Sequence, residues 1–394
     1  MLTILILTTA PNAAAQIGDS PWDVSQEVEL ALLLAPGGSV DGAPERERAL
    51  YEVGLGLSAE RTFQSGWTLG GRGVFRAAQD HPDRPGGIGN ILTNPSQGAA
   101  GGYSRLAAGP DLDDEGARGS LETAYLFLET GYGEISLGRD TGVAARFHEG
   151  NVSAVSRGRL LDPYLDVTGI SGLNTRANLT GPSTKLSYVT PRLLGVRAGV
   201  SYTPRSDVRG LDRDATDTIS PPQPELENVF EFGVNASRRL RESGVRLRGG
   251  VSYSVADLDA PNGFESAYDD SLDVFSAGAE VEWKDTYRLG LSWLSADEGL
   301  ASSGDYTAWS AGLGYDRGDW RASLEYAEAD IDAAGANASG YAASISRRIS
   351  DVLQLGLSWQ DLDVSSLRSV SVQPAAPSAE SSGIVVEITL SFQN

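Results

Sequence analysis

Cysteine is absent from the 394 residues, methionine occurs once and histidine twice. The missing thiols remove disulfides, thiol catalysis and Cys-ligated metals together. His81 and His148 fall in loop-like sequence, with no acidic or hydroxyl partner at a diagnostic spacing, so a catalytic triad or a His-based metal centre has little material. No enzymatic activity and no cofactor are expected. Basic residues are scarce too: 31 Lys and Arg against 53 Asp and Glu give a net charge of −22, which argues against nucleic acid and makes cations the better-matched small partners. Long apolar runs are also missing. Mean hydropathy is −0.21, and no run approaches the roughly 18 apolar residues of a membrane-spanning helix. The glycine clusters Gly70-Gly71-x-Gly73 and Gly86-Gly87-x-Gly89 open no helix, which argues against a phosphate cradle.

What the chain does have is a period-two alternation that recurs from Trp22 to the C-terminus. In the last such segment Ile384, Val386, Ile388, Leu390 and Phe392 share one face and Glu387, Thr389 and Ser391 the other. The apolar faces need a non-aqueous neighbour, while Arg, Glu, Ser and Gly on the opposite faces suit water. A soluble sandwich with two dry inner faces fits this poorly; a membrane β-barrel, apolar outside and wet inside, fits both faces. The 47 glycines suit tight turns and close-packed lumen walls. At the N-terminus, Leu2 to Leu7 followed by Ala13-Ala14-Ala15 reads as a signal peptide over residues 1–15, leaving residues 16–394 as a single barrel domain, with a frayed N-terminal strand as the alternative.

Turn signals divide the alternation into sixteen strands, near 22–35, 46–63, 66–79, 119–131, 134–140, 183–190, 194–204, 228–240, 244–257, 271–284, 286–297, 305–316, 319–331, 338–350, 351–364 and 382–392. Joins after even-numbered strands are tight, as at Tyr132-Gly133, Lys284-Asp285 and Arg317-Gly318. Those after odd-numbered strands are mostly long, the longest being 141–182. Short turns at one rim and long loops at the other mark an outer-membrane barrel. Outward-parity aromatics form two belts, Trp67, Tyr188, Trp283, Tyr287, Tyr315, Trp320 and Phe392 near the short turns, and Tyr51, Phe75, Tyr202, Phe230, Tyr253, Trp293, Trp309, Tyr326, Tyr341 and Trp359 near the long loops.

Three stretches resemble the Gram-negative porins, particularly those of purple bacteria. Tyr132-Gly133-Glu134-Ile135-Ser136-Leu137-Gly138-Arg139 is similar to the family's hairpin leading into the third external loop. Lys185 to Pro191, with Gly195 to Pro204, is similar to its hairpin after that loop, and the third stretch is the C-terminal strand ending near Phe392. The resemblance implies an all-β, sixteen-stranded antiparallel barrel in the bacterial outer membrane. It also implies a homotrimer and a third loop, 141–182, folded into the lumen. The expected function is a water-filled channel for passive diffusion of small hydrophilic solutes and ions, weakly cation-selective, in contact with outer-membrane lipids and lipopolysaccharide. The alternative is a structural or ligand-binding barrel with a plugged lumen.

Parity places most strand arginines inside. Lys185, Arg197, Arg246, Arg248, Arg288, Glu231 and Glu280 are expected to line the lumen, since an ionised side chain facing lipid at mid-depth costs about 2–4 kcal/mol. Arg347 breaks parity near a rim, where snorkelling would tolerate it. At the constriction, loop residues Glu149, Asp162 and Asp166 are expected to face Arg48, Arg72, Arg76 and Arg139, with a bulge beside Gly138 turning Arg139 inward. The acidic runs Asp111 to Glu115, Asp212 to Asp217 and Asp269-Asp270 lack the spacing of a calcium loop and read as solvated loop tips, with loop-bound Ca²⁺ as the sharper alternative.

Overall fold

The computed structural model describes residues 22–41, 45–81, 101–103, 117–206, 224–301, 304–332, 336–366 and 378–393. Sixteen strands run β1 Asp23–Asp41, β2 Ala49–Thr62, β3 Thr68–Gln79, β4 Arg118–Thr130, β5 Gly133–Asp140, β6 Ser183–Val189, β7 Val196–Ser206, β8 Glu225–Leu240, β9 Val245–Asp259, β10 Ser271–Trp283, β11 Tyr287–Asp297, β12 Asp305–Arg317, β13 Trp320–Ile331, β14 Ala336–Arg348, β15 Leu353–Ser366 and β16 Ala379–Gln393. Each pairs antiparallel with its sequence neighbours, and β1 pairs with β16 to close the barrel. Closure removes the free edges that lipid could not hydrate.

The alternation read from the sequence becomes the two faces of the wall. On β8, Phe230, Phe232 and Val234 are exposed outward while Glu231, Gly233 and Asn235 are buried. Phe232 and Val234 meet Tyr253 and Val251 across the ladder to β9. At the short-turn rim Trp283 packs on Tyr287 at 5.6 Å and Tyr287 on Tyr315 at 5.5 Å. Toward the long-loop rim Tyr202 meets Phe230 at 4.8 Å and Tyr326 meets Tyr341 at 4.7 Å. Arg347 places its guanidinium 5.0 Å over the Trp320 ring, so its charge sits in the interfacial belt.

β1 and β16 together run beyond their sequence boundaries. β1 continues past Ala35 to Asp41 because Gly37 to Asp41 pair with Ile384 to Glu380 after a register shift, and β16 accordingly begins at Ala379. Pro36-Gly37-Gly38 reads as a turn in isolation, but the partner strand supplies the ladder that its side chains do not advertise.

The interior departs further from expectation. Near the long-loop mouth the inward faces of β8 to β16 are apolar, with Leu226, Leu272, Tyr306, Ala329, Ile331 and Val364 fully or almost fully buried. They form one cluster with Leu160, Leu161, Ile170 and Leu173 of the 141–182 loop, and with Tyr103 from the connection between β3 and β4. Half of this mouth is thus a packed core and not the wet wall that the strand pattern suggested. The cause is that strands covered by an inserted loop are buried on both faces, as in sheets packed between layers.

Candidate functional site

The 141–182 loop enters the barrel and is fixed at three places. At its foot Lys185 Nζ donates to the carbonyls of Asp140 and Gly181, the latter at 2.8 Å, clasping the two ends of the loop together. Beside it the Glu231 carboxylate accepts from Ser201 Oγ at 2.6 Å and Thr180 Oγ1 at 3.4 Å. A single helical turn, α1 Val143–Arg146, leads to Phe147, whose ring lies 4.8 Å from the Arg197 guanidinium.

The loop backbone then runs along the inner wall. It lies so close that a Cβ on Gly250 would strike the Phe147 carbonyl and one on Gly278 the Glu149 carbonyl. Farther on, Ala154 N donates to Ser323 Oγ at 2.8 Å. At the far side the Glu387 carboxylate accepts from Ser156 N at 3.0 Å, Ser156 Oγ at 2.8 Å, Arg157 N at 2.8 Å and Gly158 N at 3.0 Å. Three successive peptide N–H groups on one buried carboxylate form a charge-assisted anchor.

That anchor presents Arg157 to a charged cleft of about 160 Å³, lined by Glu27, Glu29, Arg72, Arg76 and Arg157 together with Gly54, Gly56 and Val74. Arg76 contacts Glu122 at 2.5 Å, Glu52 at 2.6 Å and Glu29 at 3.2 Å. Arg157 reaches Glu29 at 2.7 Å and Glu52 at 3.0 Å, and Arg72 pairs with Glu27 at 3.2 Å. The Tyr164 ring lies 4.9 Å from the Arg157 guanidinium, 5.4 Å from that of Arg159 and 6.0 Å from that of Arg76. Fixed opposite charges at this spacing set up a strong local field across a small aqueous space.

Of the residues expected at a constriction, the structure brings Arg72 and Arg76 into this cleft and takes the others elsewhere. Asp162 is buried against Arg159 at 3.2 Å and Arg176 at 3.6 Å, within the loop's own return limb. Asp166 closes a turn, accepting from Thr168 N at 2.8 Å, Thr168 Oγ1 at 2.6 Å and Ser171 N at 3.0 Å. Glu149 accepts from Asn235 Nδ2 at 2.8 Å on the β8 wall. Arg48 stands exposed before β2. Arg139 keeps its strand parity and donates from Nε to the Leu121 carbonyl at 2.6 Å, beside the register shift in the β3–β4 ladder. The loop's contribution to the cleft is therefore a cation, Arg157, and the acids are wall residues. Glu27, Glu29 and Glu122 escaped the sequence reading, although Glu27 and Glu29 share the inward parity of Ala31 and Leu33 in the ladder to β2.

The lumen-lining set divides by level. Arg246 pairs with Glu282 at 3.5 Å, Arg248 pairs with Glu280 and lies 3.4 Å from Glu282, and Arg288 meets Asp316 at 3.0 Å. These pairs lie toward the short-turn ends of their strands. Lys185 and Glu231 are almost fully buried and serve as the loop's foot instead of lining water. Within the loop, burial and the nearby Arg176 hold the His148 imidazole down to about 4, and burial pushes the Tyr103 phenol well above its ordinary value. Of the acidic runs, 111–115 and 212–217 lie outside the described residues, as do residues 1–15, and Asp269 and Asp270 are exposed. Among the described residues Glu225, Glu227 and Asp259 bring three carboxylates together, but Arg205 pairs with Glu225 and supplies a counter-charge.

Comparison with solved structures shows the same kind of barrel. Pseudomonas putida OprB superposes with a TM-score of 0.58 at 10% identity, covering 94% of each chain. Salmonella typhi OmpF, in complex with daunomycin, gives 0.54 at 12% identity over 94% of this chain and 97% of that one. An anion-selective porin from Comamonas acidovorans gives 0.53 at 13% identity over 94% of this chain and 99% of that one. A Rickettsia bellii protein, described only as uncharacterized, is 28% identical over 123 residues, which is 25% of this chain and 28% of that protein's length. The Gram-negative porin family matches from residue 2 to residue 365, from before β1 almost to the end of β15. A match of that extent, on a closed barrel with a loop folded into its lumen, makes the chain a member of the Gram-negative porins, the channel barrels of the bacterial outer membrane.

Proposed function

We propose that the chain is a passive diffusion channel for small hydrophilic solutes and ions, weakly selective for cations, and that it works as a homotrimer without catalysing any reaction. The observation that carries this reading is the cleft beside β1 to β4. There Arg72, Arg76 and Arg157 face Glu27, Glu29, Glu52 and Glu122, an arrangement with one negative charge in excess. The acidic balance of the whole chain acts in the same direction. A channel of this kind sorts solutes by size and by how they ride the local field, and needs no tight binding site. The trimer rests on a physical argument: outward Gly71 and Gly73 on β3 and, across β2, the apolar face of Val24, Val28, Leu30 and Leu32 on β1 allow close approach of another barrel wall.

A second reading has its own observation. The apolar cluster that fills the mouth along β8 to β16 fits a plugged barrel. Planar-bilayer current under a salt gradient separates the two. Stepwise conductance with a small cation-directed reversal potential is expected. A silent membrane would favour the plug, and an anion-directed potential would align this chain with the Comamonas porin instead.

A further inference from the structure

The outward wall from β11 to β16 carries an open apolar groove of about 620 Å³, floored by Ala322 and Ala343 and running between Tyr287 and Tyr315 at one end and Trp359 and Ile384 at the other. Its course follows from the register. Leu313, Leu324, Ala343, Trp359 and Ile384 are direct cross-strand neighbours in turn. Leu313 lies four residues from the short-turn end of β12, which closes at Arg317, whereas Ile384 lies nine from the end of β16 at Gln393. The groove therefore climbs from the rim toward the middle of the membrane as it crosses the strands.

At its low end a second row of direct neighbours runs Arg317, Trp320, Arg347. Both arginines are exposed on the outward face, and Arg347 lies 5.0 Å over the Trp320 ring. Tyr287, Tyr315 and Trp320 mark this level as the interfacial zone where phosphates sit. Two guanidinium groups at headgroup depth, opening onto an apolar trough that rises from them, match the two ends of one kind of molecule.

We propose that this groove is a specific site for an anionic glycerophospholipid of the leaflet at the short-turn rim. The phosphate lies between Arg317 and Arg347, and one acyl chain occupies the trough over Ala322 and Ala343. Guanidinium groups donate paired hydrogen bonds to phosphate and shed hydration readily. Small residues on the trough floor leave room for a chain that larger ones would fill.

The test uses the whole protein in non-ionic detergent, with dioleoyl phosphatidylglycerol titrated in and the complexes weighed by native mass spectrometry. Heat-modifiable gel mobility verifies that every variant is a folded barrel. The parent should retain phosphatidylglycerol about tenfold more strongly than dioleoyl phosphatidylcholine. The double variant Arg317→Gln with Arg347→Gln should lose about that factor, and Ala343→Phe should lose binding with both charges intact. Equal retention of the two lipids, or equal retention by the parent and either variant, overturns the proposal. So does efficient disulfide linkage between copies through Ala343→Cys, which would make the groove an interface with a second barrel.

Discussion

Arg157 hangs from Glu387: its backbone N–H lies 2.8 Å from the carboxylate on β16, while its guanidinium crosses the lumen side to Glu29 at 2.7 Å and Glu52 at 3.0 Å on β1 and β2. One residue thus couples the loop's anchor to the charged cleft. The wall fixes where the loop stops, and the loop in turn holds two wall carboxylates in place.

Replacing Glu387 with Ala should free residues 156–158 from the wall. Hydrogen bonds to a charged group contribute about 1.5–3 kcal/mol each, and the released N–H groups can reach lumen water, so a net loss of about 3 kcal/mol for the loop's packing is reasonable. Single-channel recordings should show larger and noisier conductance than the parent, with the barrel still folded by circular dichroism. Steady parental conductance would mean that the loop is held by other contacts.

Charge removal in the cleft should act in opposite directions. Arg157→Gln leaves the acids in greater excess and should move the reversal potential toward cations, whereas Glu29→Gln should move it toward anions. Partly solvated pairs of this kind are worth about 0.2–1 kcal/mol, so permeability ratios should change by up to about fivefold. The effect should grow below about 0.1 M salt, where screening over roughly 10 Å is relaxed. Identical potentials for both variants would place selectivity outside this cleft.

The wall was legible in the sequence because lipid imposes a strict rule on every second residue. Neighbours such as Phe75 alone put Arg72 and Arg76 on the inward face, and both line the cleft. The loop had no such rule. Asp162 and Asp166 look like a mouth's acidic side, yet their partners, Arg176 and Ser171, are fixed by how residues 141–182 double back, which no local period encodes. Tyr103 is silent in the sequence for the same reason: its burial depends on Tyr306, 5.6 Å away and far along the chain. For Arg139, the ladders to β4 and β6 pass through Gly138 and Arg139 without a register shift, so plain alternation describes its place in β5. The register shift lies in the β3–β4 ladder and supplies Arg139 with the Leu121 carbonyl instead of turning it inward.

His148 should make the loop acid-sensitive. Its imidazole stays neutral in the folded protein down to about 4, because burial first and Arg176 second oppose the charged form. The unfolded imidazole takes up its proton near pH 6.5. Between these values the unfolded chain binds more protons, so stability falls as pH drops from about 6.5 to about 4, by roughly 3 kcal/mol in all. Melting temperatures in detergent should slope through that window for the parent and flatten for His148→Asn. Parallel slopes would show that other groups carry the pH dependence.

The loop's path along the wall depends on positions without side chains, and Gly278 tests it most directly. A Cβ there would collide with the Glu149 carbonyl, which is backbone and cannot rotate away. Gly278→Val should therefore push residues 147–152 off the wall into the lumen, at a cost of about 1–3 kcal/mol as for other overpacked sites. Gly249 on β9 is the control, since a Cβ there meets only the Gly278 carbonyl at 3.6 Å, and it shares the outward face of Leu247 and Val251. Reduced single-channel conductance and a lower melting temperature are expected for Gly278→Val, and neither for Gly249→Ala. If Gly278→Val conducted and melted like the parent, the loop could not lie against β10, and the route that carries Arg157 to its cleft would have to be redrawn.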